Sequence, residues 1–151
     1  MNLKINIMRV LKLSIIFSLL LMSCDETKKV IDVAGSVQLS GAYTISNIGD
    51  DAISDNAPTI IFTAIDKGIK GNTGCNSFFG KYALDLYALT FSDIASTEMA
   101  CEEPRMSNEN AFLQALRNTG SYAIENNVLT LYSKNDRSVL LKATKDNTEE
   151  N

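Results

Sequence analysis

Three cysteines, several acid pairs and a glycine-rich turn are the places where this chain could do chemistry, and its histidine count of zero decides what most of them can do. Without imidazole, Ser-His and Cys-His nucleophilic machinery is missing, and so is the commonest transition-metal ligand. Cys75 and Cys101 lack the Cys-x-x-Cys spacing of a thiol–disulfide catalyst. The pairs Glu102-Glu103 and Asp50-Asp51 have the residue types of a general acid and base or of calcium ligands, but each sits in a polar stretch that reads as a solvated turn or helix approach. Gly71-Asn72-Thr73-Gly74-Cys75-Asn76 has no Lys-Ser/Thr ending, so it is not a phosphate loop. It reads as a tight connection between strands in which Asn76 bonds local backbone, with a ligand or partner surface as the other reading. No metal site and no cofactor are expected.

The aromatic residues offer the best handle on binding. Most of Tyr43, Phe62, Phe78, Phe79, Tyr82 and Tyr87 must fill the core of a domain this small. If Tyr43, Phe78, Phe79 and Tyr82 instead line an open mouth beside Asn76, they form an apolar groove suited to a lipid tail or an amphipathic segment of a client protein.

The opening residues place this chemistry. Lys4, Arg9 and Lys12 precede an apolar run from Leu13 to Met22, and no acid occurs before Asp25. A spanning helix needs about 20 apolar residues, so this shorter run reads as a cleaved signal of residues 1–23. The tetrad Leu21-Met22-Ser23-Cys24 resembles the lipobox of bacterial lipoprotein precursors, which makes Cys24 the expected lipidation site and the first mature residue. Two or more acyl chains, at about 0.8 kcal/mol per buried methylene, anchor a protein stably. The expected address is the cell envelope, facing the periplasm or the cell surface, with the membrane as a partner through acylated Cys24. In that oxidising compartment Cys75 and Cys101 form a candidate disulfide; two buried free thiols are the alternative.

Charge excludes one class of partner. The chain has 14 basic and 18 acidic residues, and loss of the leader removes three basic ones and no acids, leaving a clear negative excess that phosphate backbones repel. No nucleic-acid role is expected.

The mature chain divides into a polar tether over 24–38, one domain over 39–144 and a polar tail over 145–151. Ala42 to Ile48 reads as a strand ending at Gly49-Asp50-Asp51, and Pro58 opens another in which Ile60, Phe62 and Ala64 alternate with Ile61, Thr63 and Ile65. Two apolar faces on that strand suggest that both are covered. Asp66-Lys67-Gly68 marks a hairpin, and Tyr87–Phe91 and Ile94–Met99 read as two strands split by Ser92-Asp93. A helix is expected with Ser107 as N-cap, Glu109 in its first turn, Phe112, Leu113 and Leu116 on one stripe, and Gly120 as its stop. Three further strands follow, turning at Glu125–Asn127 and at Asn135-Asp136. The fold class is α+β: a curled, mostly antiparallel sheet or partly open β-barrel packed on one helix.

Three spaced signals carry a family resemblance: Gly71-Asn72-Thr73-Gly74-Cys75-Asn76 with Phe79-Gly80-x-Tyr82; Ser96-Thr97-Glu98-Met99-Ala100-Cys101; and Glu109-x-x-Phe112-x-x-Ala115-Leu116 before the Tyr122 strand and Leu129-Thr130-Leu131. In this order they resemble the META domain of HslJ-like bacterial proteins. The first strand departs, with Tyr43 where the family commonly has tryptophan, and Tyr43 is expected to take the same packing role. The resemblance implies the curled barrel above and a theme of envelope stress, drug tolerance and, in some members, secretion; it implies no mechanism. The functional expectation is a non-catalytic, lipid-anchored envelope protein that binds a protein or hydrophobic ligand. The alternative is an assembly or pilot-type structural factor without a ligand pocket.

Overall fold

In the computed structural model, residues 24–146 are described, so the expected leader and the end of the tail lie outside the described residues. Two helices and nine strands follow in the order α1 (Cys24–Leu39), β1 (Gly41–Ile48), β2 (Asp51–Ala52), β3 (Thr59–Thr63), β4 (Gly68–Asn72), β5 (Ser77–Asp85), β6 (Ala88–Ser96), α2 (Arg105–Asn118), β7 (Thr119–Glu125), β8 (Val128–Ser133) and β9 (Val139–Lys145). Successive strands from β3 to β9 pair antiparallel. β1 pairs with β3 on one edge and β9 on the other, which closes an eight-stranded barrel, with β2 as a short extra strand on β1. Closure removes most of the unpaired edge that a curled open sheet would leave, with β6 and β7 joined at one pair, Ala88 with Ser121.

Period-two alternation builds the wall. On β5, Phe78, Gly80 and Tyr82 point inward and Ser77, Phe79 and Lys81 point outward. Tyr43, Phe62, Tyr82 and Phe91 meet edge-on or tilted at centroid distances of 5.5–6.0 Å, with Phe62 at the centre. Ile45, Ile60, Leu89, Leu129, Leu131, Leu141 and Ala143 fill the rest. Each large apolar side chain fully buried here contributes about 1.5–3 kcal/mol. Tyr43 is completely buried, as expected of the residue that stands at the aromatic position of the first strand.

The helices lie on opposite rims. α2 packs Phe112, Leu113, Ala115 and Leu116 into one end, where Phe78 meets Phe112 at 5.2 Å. α1 crosses the other end, packing on β5, with Leu39 sealed in the core.

Several local expectations change. The segment expected as a tether, 24–38, is the body of α1; its inward residues are polar or small, so no apolar period pointed at the barrel. The outer face of β3 is only partly covered: Thr59, Ile61 and Thr63 are half-buried, the strand ends at Thr63, and Ile65 stands fully exposed in the β3–β4 turn. The expected pair of strands around Ser92-Asp93 is one strand, β6, carrying a bulge with Asp93 at φ 52° opposite Gly80. α2 begins at Arg105, with Pro104 rather than Ser107 at the cap position, and Glu103 Oε2 accepts from the Ser107 N–H at 3.2 Å in its first turn. Gly120 does not end α2 but lies in β7, where a Cβ would stand 2.5 Å from the Lys134 Cα; only glycine permits that approach. Lys145, placed in the tail, pairs with Tyr43 as the last residue of β9.

Candidate functional site

At the α2 rim the three sequence signals converge on one polar hub. Gly74, at φ 92°, turns the chain between β4 and β5, and Asn72 Oδ1 accepts a bond from its N–H at 2.7 Å. The turn presents Thr73 and Asn76 to the interior, where both are buried with Glu109 of α2. The Glu109 carboxylate accepts from the Thr73 hydroxyl and from Asn76 Nδ2, at 2.9 and 3.1 Å for its two oxygens. Asn76 Nδ2 also donates to the Met99 carbonyl at 3.1 Å, while Asn76 Oδ1 accepts from Thr97 Oγ1 at 2.7 Å and Met99 N at 2.8 Å. The amide has thus spent its full hydrogen-bonding capacity. It bridges turn, strand end and helix rather than only local backbone. The Cys75–Cys101 disulfide ties the same turn to the segment leading into α2. On the chain-entropy estimate, a loop of this length stabilises the fold by about 3.5 kcal/mol.

Every polar group of this hub has a partner inside the protein, so the hub holds the fold and leaves no group poised to react. Sequence reasoning placed Glu109 at the helix macrodipole and missed its burial. The signal was present in the spacing: positions 109, 112, 113 and 116 share one helical stripe, and the other three are apolar. Among the described residues, no group of three or more His, Cys, Asp or Glu could hold a metal ion.

The α1 rim is built differently. An open, mostly apolar cleft of about 400 Å³ lies between α1, the β5–β6 turn and β7, lined chiefly by Ile31, Gly35, Leu86, Tyr87, Tyr122 and Ile124. Gly35 lets α1 approach closely, since a Cβ there would lie 3.1 Å from the Tyr122 hydroxyl oxygen. Asp32 Oδ1 accepts from the Leu86 N–H at 2.9 Å, Ser36 Oγ donates to the Asp32 carbonyl at 2.7 Å, and Lys67 Nζ donates to Ser36 Oγ while lying 5.5 Å from the Tyr82 ring centroid. Lys145 Nζ stands 5.6 Å from the Tyr43 ring centroid and donates to the Gln38 carbonyl.

Three phenols lie beneath this helix. Tyr82 donates to the Thr63 carbonyl at 3.3 Å, and burial raises its pKa. Burial and then the charge of Asp32 raise that of Tyr122. Tyr43 is pushed up to about 12, by burial first and by nearby Tyr122 second, and its hydroxyl is buried without a hydrogen-bond partner.

The expected binding residues do not share a groove. Tyr43, Phe78, Tyr82 and Asn76 are at most 3% exposed and belong to the core or the hub, whereas Phe79 is 64% exposed on the outer wall. A closed barrel seals inward residues that a partly open one would display. The cleft instead draws on residues from α1, the β5–β6 turn and β7, and no local pattern joins such distant positions. Glu102-Glu103 and Asp50-Asp51 are exposed, consistent with solvated turns.

A family model described as "META domain" matches residues 36–146. None of the curated proteins matches the chain. Among solved structures, the chain resembles a protein from Burkholderia xenovorans determined by NMR, at 22% identity and a TM-score of 0.62, over 76% of this chain and 88% of that one. A second NMR structure matches at 24% identity and a TM-score of 0.59, over 73% and 93%. A DUF4847 family protein from Bacteroides vulgatus ATCC 8482 matches at 15% identity and a TM-score of 0.55, over 75% and 97%. At these identities the three share the fold.

Proposed function

The chain belongs to the META domain family, and on that premise we propose a non-catalytic, lipid-anchored envelope protein that uses the cleft at the α1 rim to bind a hydrophobic ligand or an apolar segment of another envelope protein, in envelope stress or drug tolerance. The observation that carries this reading is the cleft itself: about 400 Å³, open to solvent, lined by Ile31 and Ile124 with two tyrosines able to orient a guest. The lack of histidine and the complete internal pairing of the Glu109 hub support a binding role over a catalytic one. The lipobox-like tetrad and the Cys75–Cys101 disulfide support an extracytoplasmic address. The alternative of an assembly factor without a ligand pocket is less well served by a structure that has such a cleft.

Titration with N-phenyl-1-naphthylamine, a neutral apolar dye, tests the reading. The dye is expected to bind with fluorescence enhancement, and Ala34→Trp, which fills the cleft from an exposed position on α1, is expected to weaken binding about tenfold or more. Equal binding by both proteins would remove the cleft as the site. Turnover of any small substrate that depends on a single side chain would end the non-catalytic reading.

A further inference from the structure

α1 is amphipathic with its apolar side turned away from the barrel. Asp32, Gly35, Ser36 and Leu39 share the inward stripe, and Asp32 and Ser36 spend their polar atoms there. Val30, Val33 and Val37, at helical spacing, share the opposite stripe and are 68%, 56% and 63% exposed. Ile31 extends this surface toward exposed Leu86 and Tyr87 across the cleft. Packing on the barrel does not require the valines, and helix propensity disfavours β-branched residues at such positions. Some other surface must repay their exposure.

We propose that this surface is a lipid bilayer: α1 lies in the membrane interface with Val30, Val33 and Val37 in the headgroup–acyl boundary, and Tyr87 docks beside them. The inference rests on the reading of Cys24 as acylated and extends it. Cys24 and Val30 belong to the same helix, so at about 1.5 Å rise per residue they stand about 9 Å apart along the axis. An acyl group at Cys24 therefore holds the first turn of α1 at the bilayer surface, within reach of the valine stripe. Interfacial helices bury an apolar stripe of this kind by about 5–10 Å, and tyrosine suits the headgroup level. A second copy of the chain fits poorly, because the patch offers six apolar side chains where a stable protein interface uses about 20–30 residues a side. The cleft, bordered by Ile31 and Tyr87, then opens beside the membrane. Its guest under this arrangement is an acyl chain or an apolar molecule dissolved in the bilayer.

The test uses the full chain purified from its own membrane and placed in phosphatidylethanolamine–phosphatidylglycerol vesicles. A bimane fluorophore is attached through Val37→Cys or, at the opposite rim, through the exposed Asn110→Cys, and the vesicles carry nitroxide-labelled lipid. Val37 is expected to be quenched about threefold or more and Asn110 hardly at all, and adding Val33→Asp should return the Val37 label to the level of Asn110. Mass spectrometry of the same sample reports the state of Cys24. An unmodified Cys24 overturns the anchor and this inference with it. An acylated Cys24 with equal quenching at the two rims overturns this inference alone, as does a Val37 label shielded from water but not quenched, the sign of a covering second copy.

Discussion

The two ends of the barrel solve opposite problems. At the α2 rim every buried polar group is paired and a disulfide holds the turn, whereas at the α1 rim the Tyr43 hydroxyl has no partner, an open cleft separates helix from strands, and valines face outward. A fully satisfied buried network specifies one arrangement and resists change. A rim with an orphaned hydroxyl and an unfilled cleft has given up stability that better packing would supply, which is the usual mark of a surface kept for something else. The motifs that identify the family therefore mark the end that holds the fold, and the cleft proposed to bind lies at the end without a motif.

The sharpest way to break this contrast is to cut the disulfide. Cys75→Ala with Cys101→Ala is expected to lower the unfolding free energy by about 3.5 kcal/mol, measured by urea denaturation, while dye binding at the α1 rim persists at concentrations where the protein remains folded. Loss of dye binding without loss of stability would join the two rims into one site. Next in size, Glu109→Ala should cost about 2–3 kcal/mol, because it strands one N–H of the Asn76 amide and leaves the Thr73 hydroxyl only the Asn76 carbonyl as acceptor; a change under half a kcal/mol would show that the hub does not hold the fold.

The smallest effect belongs to Tyr43→Phe. Removing a hydroxyl that has no partner is expected to leave stability within about 1 kcal/mol of the parent, on the favourable side. Its pH signature is more telling. Burial pushes the folded Tyr43 phenol up to about 12, above its ordinary value of 10.0, so its contribution is complete below pH 10 and is lost as pH rises toward 12. Tyr82 and Tyr122 shift in the same direction, so the substitution should flatten the alkaline arm of stability without abolishing it. An unchanged arm would mean that burial does not hold the Tyr43 phenol neutral above its ordinary range.

Much of the wall was legible because strands announce themselves by alternation. Phe78 and Tyr82 point in and Lys81 out, as any half-buried strand requires, and the Asn126 and Asn127 turn adopts the positive φ that such a tight hairpin needs. What escaped the sequence did so for identifiable reasons. α1 hides its inward face in Asp32, Gly35 and Ser36, so hydrophobic periodicity points the wrong way. Glu109 looked like a surface acid because its donors, Thr73 and Asn76, come from more than thirty residues earlier. Closure depends on β1 pairing with β9 across nearly the whole domain, and nothing local announces it. Once closure is known, Tyr43, Phe78 and Tyr82 can only be core, which removes the groove they were expected to line.

The pairing of Tyr43 with Lys145, and of the Asp146 N–H with the Ala42 carbonyl at 2.9 Å, brings the described chain back to the rim by which it entered. A fluorescent protein or affinity tag appended after Asp146 would emerge beside α1 and crowd its exposed face. The Lys134–Ser138 connection, on the far rim, is the better place to splice a reporter, and one inserted there would leave the α1 surface free.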